Sequence, residues 1–597
     1  MRKDRFKRLL AGTMLALIVT TPTLAFAAPD EVESPTAPAI APQNSDSGSL
    51  DIKDTLDKLL AAGDAQITEK LRDVITAMQF DRRMDRAPER KAIEAFYAAR
   101  GYAPLWISDG GLNARAKSAI ARLKNAAADG LDPADYPAPE FGSFSDAATL
   151  ADGDIKLTSS VLTFARHLAA GRIAPTRVSA EVDYGNHVPE PADILKKVAD
   201  ASDVNAALEG FNPPHGGFRA LKQKLAELRA NPNAGEPDNR IPDGLAIKPG
   251  AKDARVPSLR TRLGVAGKPD GHTYDKELFI AIKNLQSRAD IKPTGVIDGK
   301  TLAAINGPKQ GRQVERVLAN LERWRWLPRD LGRAYVMVNI PDFTLKVVGD
   351  NNTVWRTKIV AGKPQTPTPL TTASMDSVIV NPSWHVPQSI IQNELLPHYA
   401  RDPNIFARMG LVVKRRPDGH INVVQPPGAG NALGRIKFNF PNKFQVYLHD
   451  TPQKQLFSHD KRAFSHGCMR VEDPTKFGEV MLHLAMNGQT PNSQQIASLF
   501  GRAEHTYKLI NRPMVHLTYQ TAFVDDGGKL ILRDDLYGFD ARITAILHSD
   551  ERRIADVTPP QDPKRDAATA KGNQEILSRV ERREAQNPFT FFERTFR

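Results

Sequence analysis

The stretch Phe464-Ser465-His466-Gly467-Cys468-Met469-Arg470-Val471 holds the only cysteine in 597 residues, directly after a histidine and a glycine. Upstream, Val446-Tyr447-Leu448-His449-Asp450 reads as a strand carrying a second histidine, nineteen positions before the cysteine. A thiol attacks poorly until it ionises, and a free cysteine is only a few per cent thiolate near neutrality. A neighbouring imidazole takes the proton and holds the resulting ion pair. Gly467 lets the chain turn tightly, so that the N–H groups of Gly467 and Cys468 face one point in space. Two such donors stabilise the oxyanion formed when a thiolate attacks a carbonyl. These residue types at this spacing predict a cysteine acyl-transfer site.

Two other readings stand beside it. A lone cysteine is often a small buried hydrophobe. His449, His459, His466 and Cys468 are all zinc-ligand types, although their spacing is none of the usual C-x-x-C or H-E-x-x-H forms. The acyl-transfer reading needs neither metal nor cofactor. Side chains alternate along a strand, so Tyr447 and His449 share one face while Leu448 and Asp450 share the other. Tyr447 then lines the pocket with His449, its hydroxyl placed to help hold a substrate carbonyl. Asp450 is badly placed to orient the imidazole; a backbone carbonyl is expected there, giving a Cys–His pair rather than a triad. Geometry alone leaves His449 and His466 both open as the base. Arg470, a planar bidentate donor, suits orienting the loop, meeting a substrate carboxylate, or pairing with Glu472 or Asp473. Trp384, Ser465 and Asn431 are expected to line or brace the groove, with a plain core role also open for Trp384.

Taken in chain order, Trp384-His385-Val386-Pro387, the run N-A-L-G-R-I-K-F-N-F-P-N at 431–442, Val446 to Thr451, and S-H-G-C-M-R form a set. Together they resemble the L,D-transpeptidase catalytic domain of the YkuD type, and within it the large periplasmic YcbB-like subgroup. Asp450 departs from the wider family, many of whose members carry glycine there. The resemblance implies that His449 is the general base and His466 a pocket residue. It implies peptidoglycan stem peptides as partners, a donor tetrapeptide and an acceptor, joined into 3-3 cross-links through a cysteine thioester that carbapenems also form. An L,D-carboxypeptidase or endopeptidase of the same fold stays open, as does a wall-binding scaffold without catalysis.

The length implies several cores, and the expected class is multidomain α+β. Net charge is +12, with Lys and Arg scattered rather than gathered into an arm, which argues against nucleic acid as a partner. Arg2, Lys3, Arg5, Lys7 and Arg8 are basic, an apolar run follows to about Thr20, and Ala25-Phe26-Ala27 gives a small-x-small cleavage pattern. Residues 1–27 therefore read as a signal peptide for export to the periplasm, with a membrane tether as the outcome if it is not cleaved. Residues 28–50, rich in Pro, Ala and Ser, read as a flexible linker. The span 51–250 reads as a helical domain, and F-Y-A-A-R-G-Y-A-P-L-W within it resembles the subgroup's scaffold domain. Residues 251–310 read as three short helices, resembling a small peptidoglycan-binding domain that contacts glycan strands; a plain spacer bundle is equally open. From 311 to 548 the texture is alternating and strand-like, interrupted at about 388–435 by an insertion that the resemblance makes a cap over the site. Within the insertion, residues from Ile390 to about Gly410 read as helical. Residues 512–548 read as a hairpin returning to the sheet, and 549–597 as a disordered charged tail.

Overall fold

The computed structural model describes residues 63–549 apart from 78–85, 141–144, 231–240, 243, 267–270, 290, 307–309, 400, 403 and 416–420. The chain divides into two units, Met1–Leu59 and Leu60–Arg597, and every described residue lies in the second. The expected leader, the linker and, past Ser549, the tail fall outside the described residues. Among the described residues no helix is long and apolar enough to cross a membrane.

Helices Ala87–Ala99, Ala114–Lys124, Ala147–Ala170 and Pro191–Asp200 enclose a first core built on Ile93, Tyr97, Trp106, Leu123 and Phe164. Asn113 starts its helix by accepting from Ala116 N–H. Trp106 buries completely because both its polar groups are satisfied: Nε1 donates to Thr158 Oγ1 at 2.8 Å and the backbone N–H to Asp154 at 2.7 Å.

The expected boundary at 250 is not where the cores divide. Strand Val182–Asp183 pairs in parallel with Leu370–Ser374, at the edge of the main sheet. Val182, Tyr184, Phe218, Leu221 and Leu225 all bury in the core of the main sheet, and Tyr184 Oη donates to Leu517 O at 2.7 Å. The reason is the helix pair Gly216–Ala230 and Gln310–Trp326. Trp324 lies so close to Gly217 that a Cβ there would meet its ring at 2.4 Å. His215 sits beside the same tryptophan at 5.3 Å between ring centroids, with Nε2 3.0 Å from Pro328 O.

The small domain also reaches further back than 251, since Ile241 and Ile247 share a core with Leu259, Leu278, Ile282 and Leu302. Its helices are Val256–Leu263, Lys276–Arg288 and Gly299–Asn306. Gln286 ties them together: Nε2 donates to Val296 O and Thr301 Oγ1, and Oε1 accepts from Gly295 N–H.

Among the described residues the C-terminal region is built on a twelve-stranded sheet. Its path runs His505–Lys508, Ser377–Val380, Ile436–Asn439, Leu448–His449, Met469–Val471, Asn352–Gly362, Thr344–Gly349, Ala334–Asn339, Met514–Thr518, Leu370–Ser374 and Val182–Asp183, with Ala463–Ser465 paired to Asn352–Gly362. Helix Pro474–Ala485 covers one face, its Phe477 packed on Phe438 and stacked on Trp355. Met514–Thr518 does return to the sheet, but the hairpin after it, Ala522–Val524 with Leu530–Leu532, makes a sheet of its own, and Phe539–Leu547 is a helix.

The insertion begins at Trp384 rather than 388. Trp384–His385, Ile421–Gln425 and Val412–Arg415 form a separate three-stranded sheet, and Trp384, Ile391, Leu395, Phe406, Val423 and Leu433 share a core of their own. The helix expected over 390–410 is continuous over 388–399, with a π segment at Ile391–Leu395, and is followed by a separate short turn at Ile405–Arg408. Pro397 offers no N–H to the carbonyl of Asn393, and the turn Ile391–Leu395 just before it widens into a π-helix.

Candidate active site

Ser465 ends its strand beside Gly362, and the chain then turns through Gly467 at φ 115°, a conformation that favours glycine. Ser465 Oγ holds the turn from inside, donating to Cys468 O at 2.5 Å and accepting from Gly467 N–H at 3.2 Å. The Gly467 N–H is thereby already engaged, which corrects its expected place as an oxyanion donor. The loop after strand Asn352–Gly362 cradles the turn from outside. Lys363 N–H and Thr366 Oγ1 both donate to Ser465 O, at 3.0 and 3.1 Å, and Thr368 Oγ1 donates to Gly467 O at 2.8 Å. Tyr537 Oη braces that loop in turn, donating to Gly362 O and accepting from Thr368 N–H.

His449 lies between Lys437 on one neighbouring strand and Arg470 on the other. Leu448 points into the core, as the alternation requires. His449 Nδ1 donates to the backbone O of Asp450 at 2.5 Å. The group that orients the imidazole is thus the expected kind, a carbonyl, and it leaves Nε2 with the lone pair. The Asp450 carboxylate is used elsewhere, accepting from Arg435 N–H at 2.8 Å and pairing with Lys454 Nζ at 2.7 Å.

Burial holds the His449 pKa down to about 3, with the Arg470 charge adding to it and the Asp450 and Leu433 carbonyls opposing. Burial likewise pushes the Cys468 thiol up, against Tyr447 N–H, the Lys437 charge, Tyr447 Oη and the Arg470 charge, each of which favours thiolate. Burial thus works against both the thiolate and the imidazolium. At the sulfur, desolvation outweighs the donors around it.

Cys468, His449, His466, Ser465, Tyr447, Arg470 and Trp384 all line one cavity of about 260 Å³. Tyr447 and His449 meet edge to face at 5.8 Å, and Trp384 and Cys468 both act on the Tyr447 hydroxyl. Trp384 therefore serves the cap's core and the cavity wall together. Arg470 Nη1 donates to Gln453 Oε1 at 2.8 Å; Glu472 pairs with Lys358 and Asp473 caps the next helix, so neither takes the arginine. Asn431 braces rather than lines: its Nδ2 donates to the carbonyls of Pro382, Gln425 and Pro426. His459 packs against Phe464 instead of lining the cavity. Among the described residues no group of three or more His, Cys, Asp or Glu is gathered as a metal site requires.

Sequence reasoning missed three participants. Lys437 sits 4.2 Å from the Tyr447 ring centroid and favours the thiolate. Glu394 of the cap enters the cavity and places Oε1 3.0 Å from His466 Nε2. Gln453 holds Arg470. Lys437 had one signal, a lone cation in the apolar strand Ile436–Asn439.

The architecture is multidomain α+β, a helical region followed by a mainly β domain with a cysteine and a histidine in one cavity. Residues 333–484 match the family model of the L,D-transpeptidase catalytic domain, and residues 91–225 that of the scaffold domain. The chain carries an L,D-transpeptidase catalytic domain behind a scaffold domain. A Haemophilus influenzae protein named "Putative L,D-transpeptidase" is 29% identical over 253 residues, 39% of this chain and 50% of that relative. The chain thus spans about half the length of the curated relative it matches. Among solved structures, an L,D-transpeptidase from Mycobacterium smegmatis is 14% identical, covering 31% of this chain and 58% of its own, with a TM-score of 0.17. A mutant of the Enterococcus faecium L,D-transpeptidase is 15% identical, covering 32% and 52%, with a TM-score of 0.15. TM-scores this low carry no geometry across.

Proposed function

We propose that this protein is a peptidoglycan L,D-transpeptidase that forms 3-3 cross-links through a thioester on Cys468. One observation supports the reading most: the single thiol and an imidazole with a carbonyl-fixed Nδ1 line the same cavity. As the donor carbonyl approaches, His449 Nε2 takes the thiol proton and the sulfur attacks. Lys437, Arg470 and Tyr447 Oη then stabilise a sulfur that burial otherwise disfavours. The carbonyl oxygen turns toward Cys468 N–H. The C–N bond breaks and the protonated His449 returns its proton to the departing D-amino acid. The amine of a second stem resolves the thioester under the cap, which limits the approach of water. Residues 251–310 contact glycan strands, and the protein works in the periplasm, touching membrane only through an uncleaved N-terminus.

The test is a muropeptide assay on wild type and Cys468→Ala with a defined disaccharide-tetrapeptide. Wild type is expected to give dimers and a covalent adduct by intact mass; Cys468→Ala is expected to give neither, with its melting temperature preserved. Trimmed monomers alone from wild type indicate hydrolysis. Full activity in Cys468→Ala removes the nucleophile.

A further inference from the structure

The second half of the proposed reaction has a requirement of its own. An aliphatic amine has a pKa of about 10.4 and is an ammonium ion near neutrality, with no lone pair to attack a thioester. The site that receives it must attract a cation and then remove a proton. The sheet side of the cavity is the wrong sign, since Arg470 lines it and Lys437 stands behind Tyr447.

The cap side is different. Glu394 is the one carboxylate among the described residues that line the cavity. It stands on the π-helix Ile391–Leu395, whose Ile391 and Leu395 are anchored in the cap's own core. Its carboxylate contacts His466 at 3.0 Å, and the two side chains keep 21% and 24% exposure, so both face the cavity rather than the core. His466 stands two residues from the sulfur-bearing Cys468. Lys363 and His398 also act on Glu394 through space.

We infer that Glu394 and His466 form the acceptor subsite, where the carboxylate binds the ammonium group of the second stem's diamino acid and the pair takes one proton from it. This rests on the transpeptidase reading and names the residues of its second half-reaction. The neutral nitrogen then attacks the thioester carbon and forms the C–N bond. The C–S bond breaks, the sulfur leaves as thiolate, and the second proton lost by nitrogen passes through His449 to the sulfur. Ammonium and thioester become amide and thiol, and the proton held by Glu394 and His466 is released to water.

The experiment compares the full-length wild type with Glu394→Gln, each preloaded with a donor tetrapeptide. Thioester resolution is followed with two nucleophiles: an acceptor stem bearing the diamino acid, and hydroxylamine, which is uncharged at neutral pH. Removing a charge-assisted contact is expected to slow transfer to the diamino acid about tenfold or more relative to hydroxylamine, with a raised acceptor KM and partial rescue in Glu394→Asp. An unchanged ratio, or equal slowing of both nucleophiles, overturns the assignment while wild-type cross-linking stands. If wild type itself forms no thioester on Cys468, or resolves it only with water, the transpeptidase reading falls and takes the subsite with it.

Discussion

Gly362→Ala tests whether the loop behind the cysteine positions it. A Cβ at Gly362 would lie 2.3 Å from Thr366 O, 2.7 Å from Thr368 N and 2.9 Å from Pro367 C. All three are backbone atoms, so relief means moving the 366–368 segment by about 1 Å. That segment and Lys363 supply the donors that hold Ser465 O and Gly467 O. A displacement of about 1 Å at reacting groups costs on the order of 100-fold in rate. Overpacking costs about 1–3 kcal/mol and each weakened hydrogen bond about 1 kcal/mol more. A loss of about 3 kcal/mol lowers the melting temperature of a domain this size by about 6–12 °C. Acylation of Cys468 is read by intact mass and stability by thermal melt, beside Gly478→Ala as a control. Gly478 lies in helix Pro474–Ala485 with Ile496 Cδ1 3.5 Å from the added carbon, so alanine is expected to be neutral or stabilising by up to about 1 kcal/mol. Wild-type acylation and melting in Gly362→Ala refute the clamp outright. A lower melting temperature with an unchanged acylation rate shows that the loop stabilises without positioning.

Tyr447→Phe removes a hydroxyl that favours the thiolate, so the thiol pKa is expected to rise and the acid limb of acylation to move to higher pH. The rate near neutrality should drop about fivefold, the worth of one hydrogen bond; a limb that moves to lower pH contradicts this. His449 and His215 are held neutral, with pKa values of about 3 and about 4 against 6.5 in the open chain. Below pH 6.5 the unfolded chain binds more protons than the folded one, so stability falls as pH falls, by about 2–3 kcal/mol for each histidine at pH 4.5. Comparing melts of wild type and His215→Gln at pH 7 and 4.5 checks this, the variant being expected to show the smaller drop. Asn431→Ala strips a donor from three carbonyls; hydrogen exchange across Ile421–Gln425 is expected to accelerate while the strands of the main sheet stay protected.

The parts of this protein that could be read from its sequence are those whose physics is local. Ala334–Asn339, Thr344–Gly349 and Asn352–Gly362 announce themselves by alternation, and Asp350-Asn351 by turn chemistry, both residues having positive φ. Cys468 and His449 were visible because few residue types do acyl transfer. Tyr447 followed from the two-residue period of a strand. What stayed hidden depends on register and on distant contacts. Lys437 matters only because it pairs with His449 across two strands, and Glu394 only because the cap folds its π-helix over His466. Gly467 and Ser465 were both seen, yet the bond between them depends on a turn angle that composition does not fix. The cap's strands were masked by the glycines and prolines of 426–434, and the 250 boundary failed because Val182 and Leu221 find their partners far along the chain.

Tyr184 reaches Leu517 across 333 positions. During synthesis the tail of the helical region emerges first, and its edge strand Val182–Asp183 waits for Leu370–Ser374 to pair with. Closing so long a loop is slow, and Tyr184 meets its acceptor only when Met514–Thr518 takes its place between Ala334–Asn339 and Leu370–Ser374. A nascent chain halted before that point carries an assembled first bundle and a catalytic half that is still searching.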